Sequence, residues 1–307
     1  MKPHRLIVFV AAASLALVST ACGGGDDGRG VITADGSSTV GPFVTKAAED
    51  FKAEQDIDVT VGISGTGGGF ERFCAGETDL SNASRPIDED EQVLCEDAGV
   101  EYVEFRVATD ALTNVVNTEN DWVTCLTVDQ LNAIWEPGSK VANWNQVDPS
   151  FPDVPLKLYG AGTDSGTFDY FTGVINGEEG ASRSDYSATE DDNVTVQGVS
   201  GDRGALGYFG FSYFEENQDT LEALEVDGGG GCVAPSIATA QDNSYTPLSR
   251  PLFVYAKQSS FDDSEDVRNF VKFMFDNNDS IATAAQFVPL SEDQIAEELA
   301  KYQDATS

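Results

Sequence analysis

Serine and threonine hydroxyls set among glycines, each group running directly into an apolar helical pattern, occur at three places in this chain. Gly36-Ser37-Ser38-Thr39 precedes Val40, Phe43, Val44, Ala47 and Phe51. SGTGGG (64–69) precedes FERFCA (70–75), and Gly162-Thr163-Asp164-Ser165-Gly166-Thr167 precedes Phe168 and Phe171. Two chemistries use such groups. A serine can attack as a nucleophile, or hydroxyls and the free N–H groups of a helix start can together hold an oxyanion. A nucleophilic serine needs a base, and the one histidine is His4, at the extreme N-terminus. The order around Ser165 also departs from the G-x-S-x-G elbow of serine hydrolases. Ser165 is therefore read as a ligand or a helix cap, and no catalytic residue is assigned.

The elements that must position these loops follow from periodicity. Residues 31–35 (VITAD), 57–63 (IDVTVGI) and 156–159 have strand character and enter the three loops. Each unit is thus strand, hydroxyl loop, helix. The helix start leaves backbone N–H groups without partners, and glycine lets the main chain approach a ligand closely. A single loop of this kind is explained by capping or turn chemistry. Three in one chain point to an anion held between them. Further along, residues 101–116 hold two extended apolar runs, and 127–135 (TVDQLNAIW) carries a capped amphipathic helix pattern. Residues 197–217 (QGVSGDRGALGYFGFSYFEEN) read as a glycine turn, a buried strand and an aromatic cluster, and 264–275 and 291–302 as amphipathic helices. This alternation predicts an α/β protein of two lobes with the ligand in the cleft between them.

The N-terminus reads as an export signal, with a basic MKPHR, the apolar stretch LIVFVAAASLALV (6–18) and the small residues Ser19-Thr20-Ala21 before Cys22. Residues 1–21 are expected to be a lipoprotein signal peptide, Cys22 the lipidated residue, and 22–30 (CGGGDDGRG) a flexible tether. The mature protein would then sit at the outer face of the cytoplasmic membrane or in the periplasm, held by a lipid anchor only. In such a compartment Cys74, Cys95, Cys125 and Cys232 read as two disulfides. Proximity favours Cys74 with Cys95 and Cys125 with Cys232 among three connectivities. No metal site and no cofactor are expected. The chain has 17 basic and 53 acidic residues, a formal charge of −36; loss of Lys2 and Arg5 with the leader leaves 15 against 53, or −38. So few cations exclude nucleic acid as a partner. The acidity suits either a protein kept soluble in concentrated salt or simply an acidic exported one. In both cases the field of the whole chain opposes an anion, so the site must be built from local donors.

GSSTVGPF (36–43), SGTGGGFERFCAGETDLSNASRPI (64–87), GTDSGTFDYF (162–171), GALGYFGFSYFEEN (204–217) and CVAPSIATAQDNSYTPLSRPLF (232–253) together resemble the phosphate-binding lipoproteins of bacterial phosphate ABC importers. The resemblance covers most of the chain after residue 31. It implies a periplasmic-binding-protein-like fold closing on inorganic phosphate, a monomer that delivers its ligand to the permease subunits of an ABC importer, and no enzymatic activity. Lobe one would comprise 31–110 with 247–307, and lobe two 111–246. Carried over by position, the ligand set is Ser38 and Thr39 from the first loop, Thr66 from the second, and Ser165, Gly166 and Thr167 from the third, with Ser84 and Arg85 beside them. The chain departs from the pattern at two places, since an aspartate is usual where Arg85 stands and an arginine where Ala161 stands. Arg85 is accordingly expected to be the cation and Asp164 the acceptor, with Asp79 and Asp192 as reserves for that role. The competing readings are a receptor for sulfate or molybdate, and an extracellular phosphatase of related fold.

Overall fold

The structure, a computed structural model, describes residues 31–163, 165–189 and 191–307. The expected leader, the tether, Cys22 and Asp164 therefore lie outside the described residues. The chain begins with β1 (Ile32–Gly36), whose Ile32 and Ala34 are buried, and turns through the first hydroxyl loop into the helix Gly41–Gln55. Pro42 sits in the first turn of that helix, where a missing N–H costs nothing, and Phe43, Val44, Ala47, Ala48 and Phe51 form its buried stripe. β2 (Val59–Val61) pairs parallel with β1 and leads through the glycine-rich loop into the helix Gly65–Cys74. β3 (Leu80–Ala83) pairs parallel on the other side of β1.

β4 (Tyr102–Asn117) is one continuous strand of 16 residues where the sequence shows two apolar runs. Its first part pairs antiparallel with the later strand Ser249–Lys257, and its last part with Ala205–Gly210 and Leu221–Ala223. The remaining strands are β5 (Cys125–Thr127), β6 (Lys157–Ala161), β7 (Ser187–Thr189), β8 (Ala205–Gly210), β9 (Leu221–Ala223), β10 (Glu225–Asp227), β11 (Cys232–Val233) and β12 (Ser249–Lys257). The main sheet runs β2-β1-β3-β12-β4-β8-β6-β7 with β9 beside β4, and β11-β10-β5 form a small second sheet.

Burial divides along the same line. One core is built from residues between 32 and 108 and between 252 and 290, among them Phe43, Phe105, Leu252 and Phe270. A second takes its residues from 112 to 248, among them Leu126, Trp135, Phe171 and Tyr208. β4 and β12 pass between the two. The disulfides join Cys74 to Cys95, between the helices Gly65–Cys74 and Glu89–Asp97, and Cys125 to Cys232, between β5 and β11. Helix starts read from the sequence recur at their caps. Thr127 and Ser291 each accept from the backbone N–H of the glutamine three residues on, and that glutamine side chain returns the bond. No helix among the described residues is long and apolar enough to cross a membrane.

Candidate functional site

All three hydroxyl loops sit at helix N-termini, but their hydroxyls are employed differently. Ser165 caps the helix Gly166–Asn176, its Oγ accepting from Thr167 N at 3.1 Å. That bond uses an acceptor lone pair and leaves the Ser165 O–H as a donor. Neither Ser38 nor Thr66 caps a helix among the described residues. The first helix turn is met by Ser37 Oγ, 3.4 Å from Val40 N, and Thr66 Oγ1 instead lies 3.2 Å from Ser84 Oγ and accepts from Ser84 N at 3.3 Å. Thr66 and Ser84 thus form a single hydroxyl pair joining the second loop to the end of β3.

A buried carboxylate ties the first two loops together. Asp35 Oδ1 accepts from Gly36 N at 2.7 Å and from Ser64 N at 3.0 Å, while Oδ2 pairs with Arg72. Gly62 packs so close that a Cβ there would come within 2.7 Å of the Asp35 carboxyl, which explains the glycine. Asp35 therefore links the first and second loops directly. Across the cleft the third loop approaches the first: a Cβ on Gly166 would lie 3.3 Å from Thr39 Oγ1.

This approach separates two chambers that share Ser38, Thr39 and Gly166. The larger, about 660 Å³, is also lined by Thr66, Ser84, Arg85, Tyr170 and Arg250. The smaller, about 170 Å³, is also lined by Ser165, Thr167, Asp110 and Asp192. Apart from Asp164, which is not among the described residues, every expected ligand residue lines one chamber or both. The positive ends of three helices and a set of hydroxyls thus face one cleft, an arrangement that binds an oxyanion through neutral donors.

The charged groups around the chambers have partners of their own. Arg85 lines the larger chamber, but its guanidinium holds Glu91 through two bonds of 2.8 Å and touches Asp88 Oδ2 at 3.1 Å. Burial raises the Glu91 carboxyl, and the bonds from Arg85 and Asp88 N outweigh it and lower it below the usual range. Asp79, one reserve acceptor, is fully engaged away from the chambers, accepting from Thr33 N and Oγ1 at 2.9 Å and from Ser260 Oγ at 2.7 Å. Asp192, the other, lines the smaller chamber.

Two residues that the sequence reading did not single out stand where β12 and β4 cross between the lobes. Arg250 Nε lies 3.2 Å and Nη2 3.1 Å from Asp110 Oδ2, Nη2 donates to Thr39 Oγ1 at 3.0 Å, and the guanidinium stacks 3.8 Å above the Tyr170 ring. Burial pushes the Asp110 carboxyl up, and Arg250 partly offsets it. The one weak signal in the sequence was SRP (249–251), a cation inside an apolar strand pattern. Among the described residues the sole cluster of metal-ligating type is Cys125, Glu225 and Cys232, and its two thiols are joined in a disulfide.

Two lobes joined by crossing strands, with helix N-termini and hydroxyls lining the cleft, define a ligand receptor of the two-lobed binding-protein class. The sequence pattern of the PBP superfamily domain matches residues 23–278. Protein SphX of a Synechocystis species is 48% identical over 265 residues, spanning 85% of this chain and 79% of that protein. The phosphate-binding protein PstS of Staphylococcus saprophyticus is 39% identical over 313 residues, 99% of this chain and 95% of that one. The crystal structure of a possible phosphate-binding protein from Planctomyces limnophilus superposes with a TM-score of 0.86 at 44% identity, covering 91% of this chain and 99% of that one. The chain belongs to the PBP superfamily and, within it, to the family of the phosphate-binding protein PstS.

Proposed function

We propose that this protein is an extracytoplasmic receptor that binds inorganic phosphate between its lobes and delivers it to the permease of an ABC importer. The observation that carries the reading is the convergence of three helix N-termini, with Ser38, Thr39, Thr66, Ser84, Ser165, Gly166 and Thr167, on one cleft. Neutral donors of this kind hold an anion without requiring a basic surface, which suits a chain of formal charge −36. Asp164 is the acceptor for the phosphate proton, and Arg85 stands at the rim as an accessory cation that must leave Glu91 to reach the ligand. Lobe one comprises 31–110 with 247–307, and lobe two 111–246. Residues 1–21 direct export, Cys22 carries the lipid anchor, and 22–30 form the tether of a monomer that performs no catalysis and needs no cofactor.

Calorimetric titration of the purified protein with phosphate, sulfate, arsenate and molybdate tests the ligand. Phosphate should bind well ahead of sulfate and molybdate. A preference for sulfate or molybdate would replace phosphate as cargo, and turnover of a chromogenic phosphate ester would replace the receptor reading with an enzyme. Partition of the expressed protein into a detergent phase, lost in Cys22→Ala, tests the anchor.

A further inference from the structure

We propose that Arg250 is the cation that meets the charge of the bound anion, and that Asp110 and Tyr170 are the positioning residues that aim it. The proposal rests on the phosphate-receptor reading above and assigns the charge within that site.

Four observations lead to it. Arg250 lies in the wall of the same chamber as Ser38, Thr39, Thr66, Ser84 and Gly166, with its side chain only 17% exposed. A charge held out of water is screened little, so one guanidinium there outweighs several on the surface. Its hydrogen bonds to described residues run from Nε and Nη2, to Asp110 and Thr39, and no described residue accepts from Nη1. A guanidinium offers five donors in a fixed plane, so one edge can be anchored while another faces a ligand. The anchors are themselves rigid: Asp110 is buried on β4, and Tyr170 beneath the guanidinium is fixed by its hydroxyl, 2.7 Å from Pro247 O. Burial and nearby Asp110 push the Tyr170 phenol above its ordinary range, which keeps the ring neutral beside an anion.

The pair also spans the cleft. Arg250 stands on β12 and contacts Thr39 of the first loop, and it stacks on Tyr170 of the helix that the third loop starts. Asp110 compensates the guanidinium in the empty site, where an unpaired buried charge would be costly. An incoming anion then adds its own charge to Nη1 and to the hydroxyls, without Arg250 having to move.

The test is calorimetry with phosphate on the full mature chain and on three variants, with melting temperature recorded for each. Arg250→Met should lose about a hundredfold or more in affinity, and Arg250→Lys should fall between it and the parent. Arg250→Met leaves Asp110 buried and uncompensated, so a drop in melting temperature alone would not separate folding from binding. The double variant Asp110→Asn with Arg250→Met removes both charges. It should recover most of the lost melting temperature and none of the lost affinity. If Arg250→Met or the folded double variant binds phosphate within tenfold of the parent, Arg250 is an interlobe strut and the proposal falls while the receptor reading stands. If the parent binds none of the tested anions, both fall together.

Discussion

Arg250 and Arg85 line one cavity and each holds a carboxylate, yet the two pairs differ in every property that matters to an anion. Arg85 is 39% exposed and its fork is spent on Glu91, whose carboxyl is held low. Arg250 is 17% exposed and engages one oxygen of Asp110, whose carboxyl burial pushes up. In the rim pair, hydrogen bonding beats desolvation; in the buried pair, desolvation beats attraction. A cation that already has a satisfied bidentate partner in partly solvated surroundings contributes little to a ligand, because it must first give that partner up. A buried cation with an edge that no described residue engages gives up none of those bonds.

After the replacement of Arg250 itself, the next largest losses should come from the hydroxyls around the buried pair. Ser165→Ala and Thr66→Val should each weaken phosphate by about ten- to 150-fold in calorimetry, the equivalent of losing one donor to a charged oxygen. Ser165→Ala should also cost the helix Gly166–Asn176 about 1 kcal/mol as a lost cap. If the melting temperature falls and the affinity holds, Ser165 is a cap only and the cleft side of the comparison loses a ligand.

Arg85→Ala should cost about tenfold, and that loss should shrink as salt is raised toward about 1 M, where the Debye length is about 3 Å. A loss above about a hundredfold that salt leaves unchanged would reverse the comparison and make the rim arginine the principal cation.

The smallest effects belong to Glu91→Gln. Releasing Arg85 toward the chamber should strengthen phosphate and sulfate alike by about two- to threefold, since a freed rim charge does not discriminate between them. The same variant should lower stability by about 0.5 to 1 kcal/mol at pH 7. Because the Glu91 carboxyl is lower in the folded chain than in the unfolded one, this contribution is present above the ordinary glutamate range and is lost as pH falls through the lowered value. Urea midpoints of parent and variant should therefore converge in acid, below the lowered Glu91 value. A gap that persists there would mean that the pair stabilises by packing rather than by charge.

What was readable in the sequence is what depends on near neighbours. A strand, a hydroxyl loop and an amphipathic helix follow one another within about 25 residues, so β1, β2 and β6, their loops and the helices after them stood out, as did the capping boxes at Thr127 and Ser291. The disulfide pairs were those favoured by proximity. β4 was harder, since Thr109 and Asp110 interrupt its apolar residues where it passes from one core to the other, so that a single strand reads as two runs.

The charge pattern of the cleft was far less legible, with SRP (249–251) its one weak signal. Arg85 is read as the cation because it departs from the family pattern where an aspartate is usual, but Glu91, six residues on in the first turn of the helix Glu89–Asp97, holds its guanidinium. Arg250 stands 140 residues from Asp110 and 211 from Thr39, and only the antiparallel pairing of β12 with β4 brings them together. Hydroxyl loops announce themselves locally because a helix start needs caps and glycines wherever it occurs. A buried ion pair does not, because either residue alone reads as a polar residue on a strand, and its worth to a ligand is set by the desolvation that the closed tertiary structure imposes.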